Sequence, residues 1–306
     1  MHSDNLLAPA AGDHSPFGRV LAAMVTPFHA DGTLDLTGAQ ELAAYLLAEG
    51  CDGLVLSGTT GEAPTTTDAE KEQLVRAVVE AADGSATVIS GVGTYDTAHS
   101  QELARSAERA GADGVLAVTP YYSRPQQEGV RRHLRAVADA VTLPVMLYDI
   151  PHRTGTRLSP ETLSALAEHP RIVAVKDVSY DLAGAARTMA ETGLRYYCGA
   201  DELNLPLAAI GAVGVVSTVA NVAPREIRAV LDAYARGANA EAARLHQQLL
   251  PLVQAMMDDA PGTVTAKALL RAAGLPAGPV RSPLVDAEPE LVERLLKVRQ
   301  EAGVSR

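Results

Sequence analysis

The feature that most constrains the fold is a regular alternation of short apolar segments with longer segments rich in alanine and leucine. Eight short segments are apolar at almost every position, as expected for strands buried on both faces of a parallel sheet. The longer segments have helical patterns, so the chain is predicted to be a series of βαβ units. The predicted strands are Val20–Val25, Gly53–Leu56, Ala86–Ser90, Gly114–Val118, Pro144–Tyr148, Ile172–Val175, Leu194–Cys198 and Gly214–Val216. The predicted helices between them are Leu36–Glu49, Ala69–Ala82, Ala98–Ala110, Gln126–Ala140, Pro160–His169, Leu182–Glu191 and Leu203–Ile210.

Eight such units favour a closed barrel over an open, doubly wound sheet. An open sheet usually has a Gly-rich dinucleotide fingerprint after its first strand, whereas Thr26-Pro27-Phe28 follows the first strand here. We therefore predict an α/β fold, a (β/α)8 TIM barrel with a C-terminal helical extension that is broken near Gly262 and Leu275–Pro283. The predicted divisions are an N-terminal tail at 1–18, a catalytic barrel at 19–236 and a C-terminal helical region at 237–306.

The formal net charge is −11, and the acidic residues are spread along the chain, which argues against nucleic-acid or anionic-lipid partners. The two cysteines, Cys51 and Cys198, cannot form a disulfide framework, and neither lies in a metal-binding spacing. Residues 1–18 lack the basic start and apolar run of a signal peptide. We therefore expect a cytoplasmic protein with no membrane span and no metal site.

In a (β/α)8 barrel the active site lies where the strands end. After the second strand, Gly58–Gly61 can direct N–H groups and the hydroxyls of two threonines to a carboxylate, or it can be a plain turn and helix cap. After the fourth strand, Tyr121 and Tyr122 either pack at a subunit contact or pass a proton. After the seventh strand, Gly199 would allow a substrate to approach the backbone, and Asp201 is expected to cap the next helix.

The fifth and sixth strands end in the residues with the clearest chemical potential. The hydroxyl of Tyr148 should point into the barrel mouth, and Arg153 follows on a loop stiffened by Pro151. Arg153 is either a fork for a carboxylate or one partner of a surface ion pair. Lys176 follows a buried strand, where desolvation favours the neutral, nucleophilic amine, although a lysine at a strand end often extends into solvent instead.

Taken together, these segments resemble the dihydrodipicolinate synthase and N-acetylneuraminate lyase family over roughly residues 19–300. The residues that carry the resemblance are Gly58-Thr59-Thr60-Gly61-Glu62, Thr119-Pro120-Tyr121-Tyr122, Tyr148 with Ile150-Pro151-His152-Arg153-Thr154-Gly155, and Lys176-Asp177. The segments 58–71 and 94–99 are similar to the actinobacterial synthases in particular. The family commonly has Gly-Asp-Asp where this chain has Gly199-Ala200-Asp201, and Asn where it has Asp149.

The resemblance implies a Schiff-base reaction in which pyruvate forms an imine with Lys176 and the enamine attacks L-aspartate 4-semialdehyde. The product would be 4-hydroxy-tetrahydrodipicolinate, in lysine and diaminopimelate biosynthesis. Tyr148 would be the general acid and base, and Thr59 and Tyr122 would relay protons to solvent. No metal or organic cofactor is implied, because the imine is the electron sink. A related pyruvate-dependent aldolase or dehydratase acting on a sugar acid is the alternative, but it usually lacks the paired tyrosine and the arginine.

Substrate binding follows from the same resemblance. Thr59 and Thr60 would hold the carboxylate of pyruvate, Gly199 and Val216 would line its pocket, and Arg153 would hold the carboxylate of the semialdehyde. The family also implies a homotetramer, a dimer of dimers in which Tyr122 crosses the tight dimer interface. A non-catalytic pyruvate-binding barrel should have lost Lys176 or Tyr148, and both are present.

Some members of the family are inhibited by lysine bound at a subunit interface. The aligned residues here are Ala63, Pro64, Asp68, Lys71, Tyr95, His99 and Tyr121. An imidazole at His99 and a bulky phenol at Tyr95 stand where inhibited relatives have an acid and an amide, and Lys71 adds a like charge. Asp68 alone offers an acceptor for the ammonium group. We therefore predict weak or no inhibition by lysine.

Overall fold

A computed structural model describes residues 15–304, so the first fourteen residues of the predicted tail and the last two of the predicted C-terminal region lie outside it. Eight parallel strands close into a barrel in sequence order, with β1 paired to both β2 and β8. The predicted (β/α)8 fold is confirmed. The strands are β1 Val20–Ala23, β2 Gly53–Leu56, β3 Thr87–Gly91, β4 Gly114–Val118, β5 Val145–Asp149, β6 Ile172–Asp177, β7 Arg195–Cys198 and β8 Gly214–Ser217.

Helices surround the barrel and continue beyond it. Short polar side chains cap several of them: Asp35 accepts from Gly38 N, Asp96 from Ala98 N, and Thr67 forms a capping box with Glu70. The helices are α1 Leu36–Ala48, α2 Asp68–Ala82, α3 Thr97–Arg109, α4 Gln127–Asp139, α5 Pro151–Thr154, α6 Pro160–Ala167, α7 Leu182–Thr192, α8 Asn204–Ala209, α9 Pro224–Ala235, α10 Asn239–Asp258, α11 Gly262–Ala272 and α12 Pro289–Glu301.

Two local predictions were wrong. Strand β6 does not end before Lys176 but runs to Asp177, because its backbone pairing with β5 and β7 continues through both residues. The segment that carries Arg153 is a one-turn helix rather than a loop, since Pro151 begins it and Gly155, with φ of 71°, ends it. Lys176 is therefore fixed by sheet on both sides.

Phe17 closes the amino end of the barrel. It is 1% exposed, and its ring occupies the space that a side chain at Gly114 would need. Its N–H donates to the Tyr197 hydroxyl at 3.2 Å, and its carbonyl accepts from the Thr87 hydroxyl at 2.6 Å. The open end is consequently the carboxyl end of the strands, where the predicted site lies. No helix in the described part of the chain has the length and apolar character needed to span a membrane.

Candidate active site

The carboxyl ends of the strands bring most of the predicted site residues around one cavity of about 500 Å³. Its lining includes Thr59, Thr60, Tyr148, Arg153, Lys176 and Gly199. A second cavity of about 400 Å³ shares Thr59, Tyr148 and Arg153 and adds Tyr121 and Tyr122. Val216 lines neither cavity, because it lies deeper in β8, opposite Leu21 of β1; Thr218, just beyond the strand, lines the first cavity instead.

Lys176 lies at the centre of the first cavity. It is 6% exposed, and its burial lowers the pKa of the amine to about 8, although the nearby carboxylate of Asp201 acts in the opposite direction. Its Nζ lies 4.4 Å from the centre of the Tyr148 ring, because the two residues are direct partners on β5 and β6. The site thus holds an amine that is partly neutral near neutral pH, as imine formation requires.

Tyr148 is 5% exposed, and burial raises the pKa of its phenol to about 12. A hydrogen bond with Thr59 and the positive charge of Arg153 both oppose that rise in pKa. The phenol therefore keeps its proton at neutral pH, while two neighbours stabilise the phenolate that forms when it gives the proton away. This pattern is that of a proton-transfer group.

The glycine at position 199 leaves room for the side chain of Lys176. A Cβ at Gly199 would lie 2.7 Å from Cε and 3.0 Å from Cγ of Lys176, and 2.6 Å from Cγ2 of Val178. Because any side chain would displace the lysine stem, Gly199 determines where the amine is held.

Asp201 has a different role from the helix cap that was expected. One of its carboxylate oxygens accepts from Thr218 N and Val219 N, each at 3.1 Å, and the other accepts from the Asn204 amide at 3.0 Å. Asp201 therefore ties the end of β7 to the loop after β8. It is also the largest influence opposing the lowered pKa of Lys176, which the sequence did not reveal.

Hydroxyl groups from two separate loops meet on one wall. Oγ1 of Thr60 lies 3.1 Å from Oγ1 of Thr218, both of which are buried. With Thr59 against Tyr148, this wall offers hydroxyls to an anion next to the Lys176 amine.

Arg153 lies at the rim of both cavities. Helix α5 holds it in place, because the Thr119 hydroxyl donates to the Thr154 hydroxyl at 3.0 Å. Among residues 15–304 the guanidinium has no hydrogen-bond or ion-pair partner, so its donors are not committed to another part of the described chain.

The two tyrosines after β4 differ from each other. Tyr121 packs edge-on against Tyr95, with ring centres 5.5 Å apart. Tyr122 has a left-handed backbone with φ of 68° and is 93% exposed. An exposed aromatic ring on a strained backbone is suited to contact with a second molecule.

No cluster of three or more His, Cys, Asp or Glu side chains in the described ranges is arranged to hold a metal ion. The polar groups nearest Lys176 include the phenol of Tyr148, threonine hydroxyls and the carboxylate of Asp201, and Arg153 lines the same cavity.

The chain was compared with known proteins. A model of the Dihydrodipicolinate synthetase family matches residues 16–302. The chain is 62% identical to 4-hydroxy-tetrahydrodipicolinate synthase 1 of Streptomyces coelicolor over 93% of each sequence. It is 58% identical to 4-hydroxy-tetrahydrodipicolinate synthase of Acidothermus cellulolyticus over 94% of each. The crystal structure of DHDPS from Cyanidioschyzon merolae with lysine bound has a TM-score of 0.91 at 39% identity, covering 95% of this chain and 99% of that one.

Proposed function

The chain belongs to the dihydrodipicolinate synthetase family, and on that premise we propose that it condenses pyruvate with L-aspartate 4-semialdehyde to give 4-hydroxy-tetrahydrodipicolinate. This is the reaction by which the curated relatives are named, and it serves lysine and diaminopimelate biosynthesis. The observation that carries the proposal is the buried Lys176 amine held against Tyr148, beside a wall of hydroxyls.

The first half of the reaction forms the imine. The neutral amine of Lys176 attacks C2 of pyruvate, and loss of water from the carbinolamine gives a protonated imine. The hydroxyls of Thr59 and Thr60 bind the carboxylate of pyruvate, which places C2 of pyruvate within reach of the Lys176 amine. Tyr148 supplies the proton that the leaving hydroxyl needs, and Thr59 relays its replacement.

The second half forms the carbon–carbon bond. Tyr148 and the Thr59 relay carry a proton away from the methyl group, which converts the imine to an enamine, and the terminal carbon of the enamine attacks the aldehyde carbon. The aldehyde oxygen takes a proton back from Tyr148 as it becomes a hydroxyl. Cyclisation by the amino group of the semialdehyde displaces Lys176 from the former imine carbon, which frees the enzyme. Arg153 binds the carboxylate of the semialdehyde with its unoccupied donors.

No organic cofactor or metal enters this scheme, because the lysine imine itself accepts the electron pair. We also propose a homotetramer in which Tyr122 enters the site of a neighbouring subunit as part of the proton relay. Its exposure, its strained backbone and its place on the rim of the second cavity support this role. The proposed compartment is the cytoplasm, which agrees with two buried cysteines that are not joined in a disulfide.

A panel of aldehydes tests the proposal against the alternative of a sugar-acid aldolase or dehydratase. The enzyme is given pyruvate with L-aspartate 4-semialdehyde, with succinate semialdehyde, or with polyhydroxylated aldehydes, and pyruvate consumption is followed. We expect the highest kcat/KM with L-aspartate 4-semialdehyde. A preference for a sugar aldehyde would overturn the proposed acceptor, and no reaction of pyruvate with any aldehyde would overturn the proposed chemistry.

A further inference from the structure

The loop that carries Thr59 and Thr60 ends in an acidic residue with an unusual conformation. Glu62 has φ of 55° and ψ of 39°, a left-handed backbone that is unfavourable for a residue with a side chain. Its carboxylate lies 2.6 Å from the amine of Lys267, and the two side chains are 1% and 0% exposed. Lys267, in the C-terminal region, thus places a buried amine next to the loop that carries Thr59 and Thr60.

Groups from two other parts of the chain surround this ion pair. Lys267 also donates to the carbonyl of Pro279 at 2.7 Å, and its Nζ lies 4.3 Å from the centre of the Phe28 ring. The guanidinium of Arg281 lies 4.1 Å from the same ring, and Arg281 N donates to Glu62 at 2.8 Å. Glu62 is therefore held from the C-terminal side by two independent partners.

Arg281 extends the connection along the loop. Its guanidinium donates to the carbonyls of Gly32 and Thr65, each at 2.8 Å, and to the carboxylate of Glu70 at 2.9 Å. The segment after the catalytic threonines is thereby joined to the C-terminal region at both of its ends.

The same region also contacts the threonines themselves. The carbonyl of Thr59 accepts from Glu62 N at 3.2 Å and from the hydroxyl of Thr263, at the start of α11, at 3.4 Å. A Cβ at Gly262 would lie 3.0 Å from Cγ2 of Thr218, the partner of Thr60. Helix α11 therefore rests directly on the hydroxyl wall.

A buried ion pair is a weak source of stability, because desolvation of the two charges offsets their attraction. A left-handed glutamate adds a further cost. We propose that Glu62 and Lys267 are positioning residues, which hold Thr59 and Thr60 where the carboxylate of pyruvate binds, and that the C-terminal region is in this way a part of the active site. The inference rests on the proposed function, since it concerns the binding of pyruvate.

The experiment compares Lys267→Met, Glu62→Gln and the double variant in steady-state kinetics, pyruvate trapping by borohydride and thermal unfolding. Each single variant leaves a buried group without its partner, whereas the double variant removes both charges at nearly constant volume. We expect the double variant to unfold at a higher temperature than either single variant, while its kcat/KM for pyruvate stays reduced by about tenfold or more. The kcat/KM for the aldehyde should fall much less, because Arg153 lies on α5 and has no contact with this pair.

Two matched controls separate positioning from stability. Leu46→Ala opens a cavity in α1 away from the loop, and Arg294→Gln removes an exposed ion pair with Asp259 in the C-terminal region itself. Both should retain kcat/KM for pyruvate. Thr263→Val removes only the hydroxyl that reaches Thr59, and it should lower kcat/KM for pyruvate by about two- to fivefold. This variant tests the positioning role even if the charge variants do not fold.

The outcomes are distinct. Recovery of both stability and pyruvate kinetics in the double variant, or equal losses for pyruvate and aldehyde, would overturn the positioning role and leave the proposed function intact. If the charge variants do not fold, a Thr263→Val variant with unchanged kinetics would overturn it as well. A wild-type enzyme that pyruvate and borohydride do not label would overturn the proposed function and this role with it.

Discussion

Strands β5 and β6 carry two neighbouring cross-strand pairs of residues, which point to opposite faces of the sheet and differ in function. Tyr148 pairs with Lys176, and one residue further along Asp149 pairs with Asp177. Because side chains alternate along a strand, the first pair faces the cavity inside the barrel and the second faces outward. The outward cavity, of about 210 Å³, lies beneath α6 and α7 and is lined by both aspartates.

Burial acts on both pairs in the same physical sense. It lowers the pKa of Lys176 to about 8 and raises the pKa of Asp149 to about 7, so that in each case the neutral form is favoured. The pKa of Asp177 is raised as well. The consequences differ because a neutral amine is a nucleophile, whereas a neutral carboxyl group is not, and here Asp149 accepts a hydrogen bond from Leu158 N. Burial therefore creates reactivity on one side of the sheet and a structural contact on the other.

The arginines above the two pairs differ in the same way. Arg157, above the outward pair, forms an ion pair with Asp181 at 2.9 Å. Arg153, above the inward pair, has no such partner within residues 15–304. An arginine that is already paired stabilises the protein, and one that is unpaired beside a nucleophile is available to a substrate.

The largest effect is expected from changing one member of each pair. Borohydride with pyruvate should add one reduced pyruvyl group to the wild-type enzyme, on Lys176. Lys176→Ala should abolish this labelling and reduce activity by at least about 1000-fold, whereas Asp177→Asn should still be labelled. Peptide mapping by mass spectrometry gives the position, and a label on another lysine would refute the assignment.

Changing the arginines tests the second half of the comparison. Arg153→Ala should lower kcat/KM for the aldehyde by roughly 30- to 1000-fold, the equivalent of about 2–4 kcal/mol, with much less effect on pyruvate. Arg157→Ala serves as the matched control and should change neither value by more than about threefold, since it removes an exposed ion pair. Equal losses for both substrates in Arg153→Ala would make it a structural residue.

The pH dependence distinguishes the amine from the carboxyl pair. Since only the neutral amine attacks, kcat/KM for pyruvate should fall about tenfold per pH unit below the pKa of Lys176, which is about 8, and level off above it. Steady-state kinetics at several pH values, with the fold monitored by circular dichroism, give the profile. A flat profile from pH 6 to 9 would contradict the assigned pKa.

Ionisation of Asp149 should affect the stability of the protein rather than its activity. Its raised pKa means that the folded protein binds the proton more tightly than the unfolded chain, so its contribution is full at acidic pH and is lost as pH rises through about 7. Asp149→Asn keeps an acceptor for Leu158 N and has no charge to bury. At pH 8 it should raise the free energy of unfolding by on the order of 1–3 kcal/mol, and by less at pH 5. Denaturant titrations at both pH values test this, and an equal effect at the two would exclude it.

The smallest effect is expected from added lysine, which would bind at a site separate from the two residue pairs of β5 and β6. Asp68, the acidic member of the seven aligned residues, already lies 2.8 Å from His99 Nε2. Tyr95 is occupied against Tyr121. We therefore expect little or no inhibition, and half-maximal inhibition below about 1 mM in a kinetic titration would show that the pocket binds lysine despite these contacts.

Local patterns were sufficient to predict the order of strands and helices and the residues at the strand ends. A strand buried on both faces must be continuously apolar, so the eight strands were visible, although the ends of β1 and β6 were each misplaced by two residues. Tyr148 and Lys176 were found because they stand at the end of such a strand, and Arg153 because it follows Tyr148 on the segment that Pro151 begins. Their convergence on one cavity follows from the parallel barrel, which brings the carboxyl ends of all strands together.

Only the tertiary structure decided which long-range contacts support these residues. The sequence did not show that the space beside Gly199 holds the stem of Lys176, or that Asp201 stabilises the loop after β8 rather than its own helix. Glu62 and Lys267 are 205 positions apart, and nothing local signals that they form a buried pair. A sequence pattern reports which face of a strand or helix is buried. It does not report which distant residue packs against that face, because this depends on the tertiary arrangement of the whole chain.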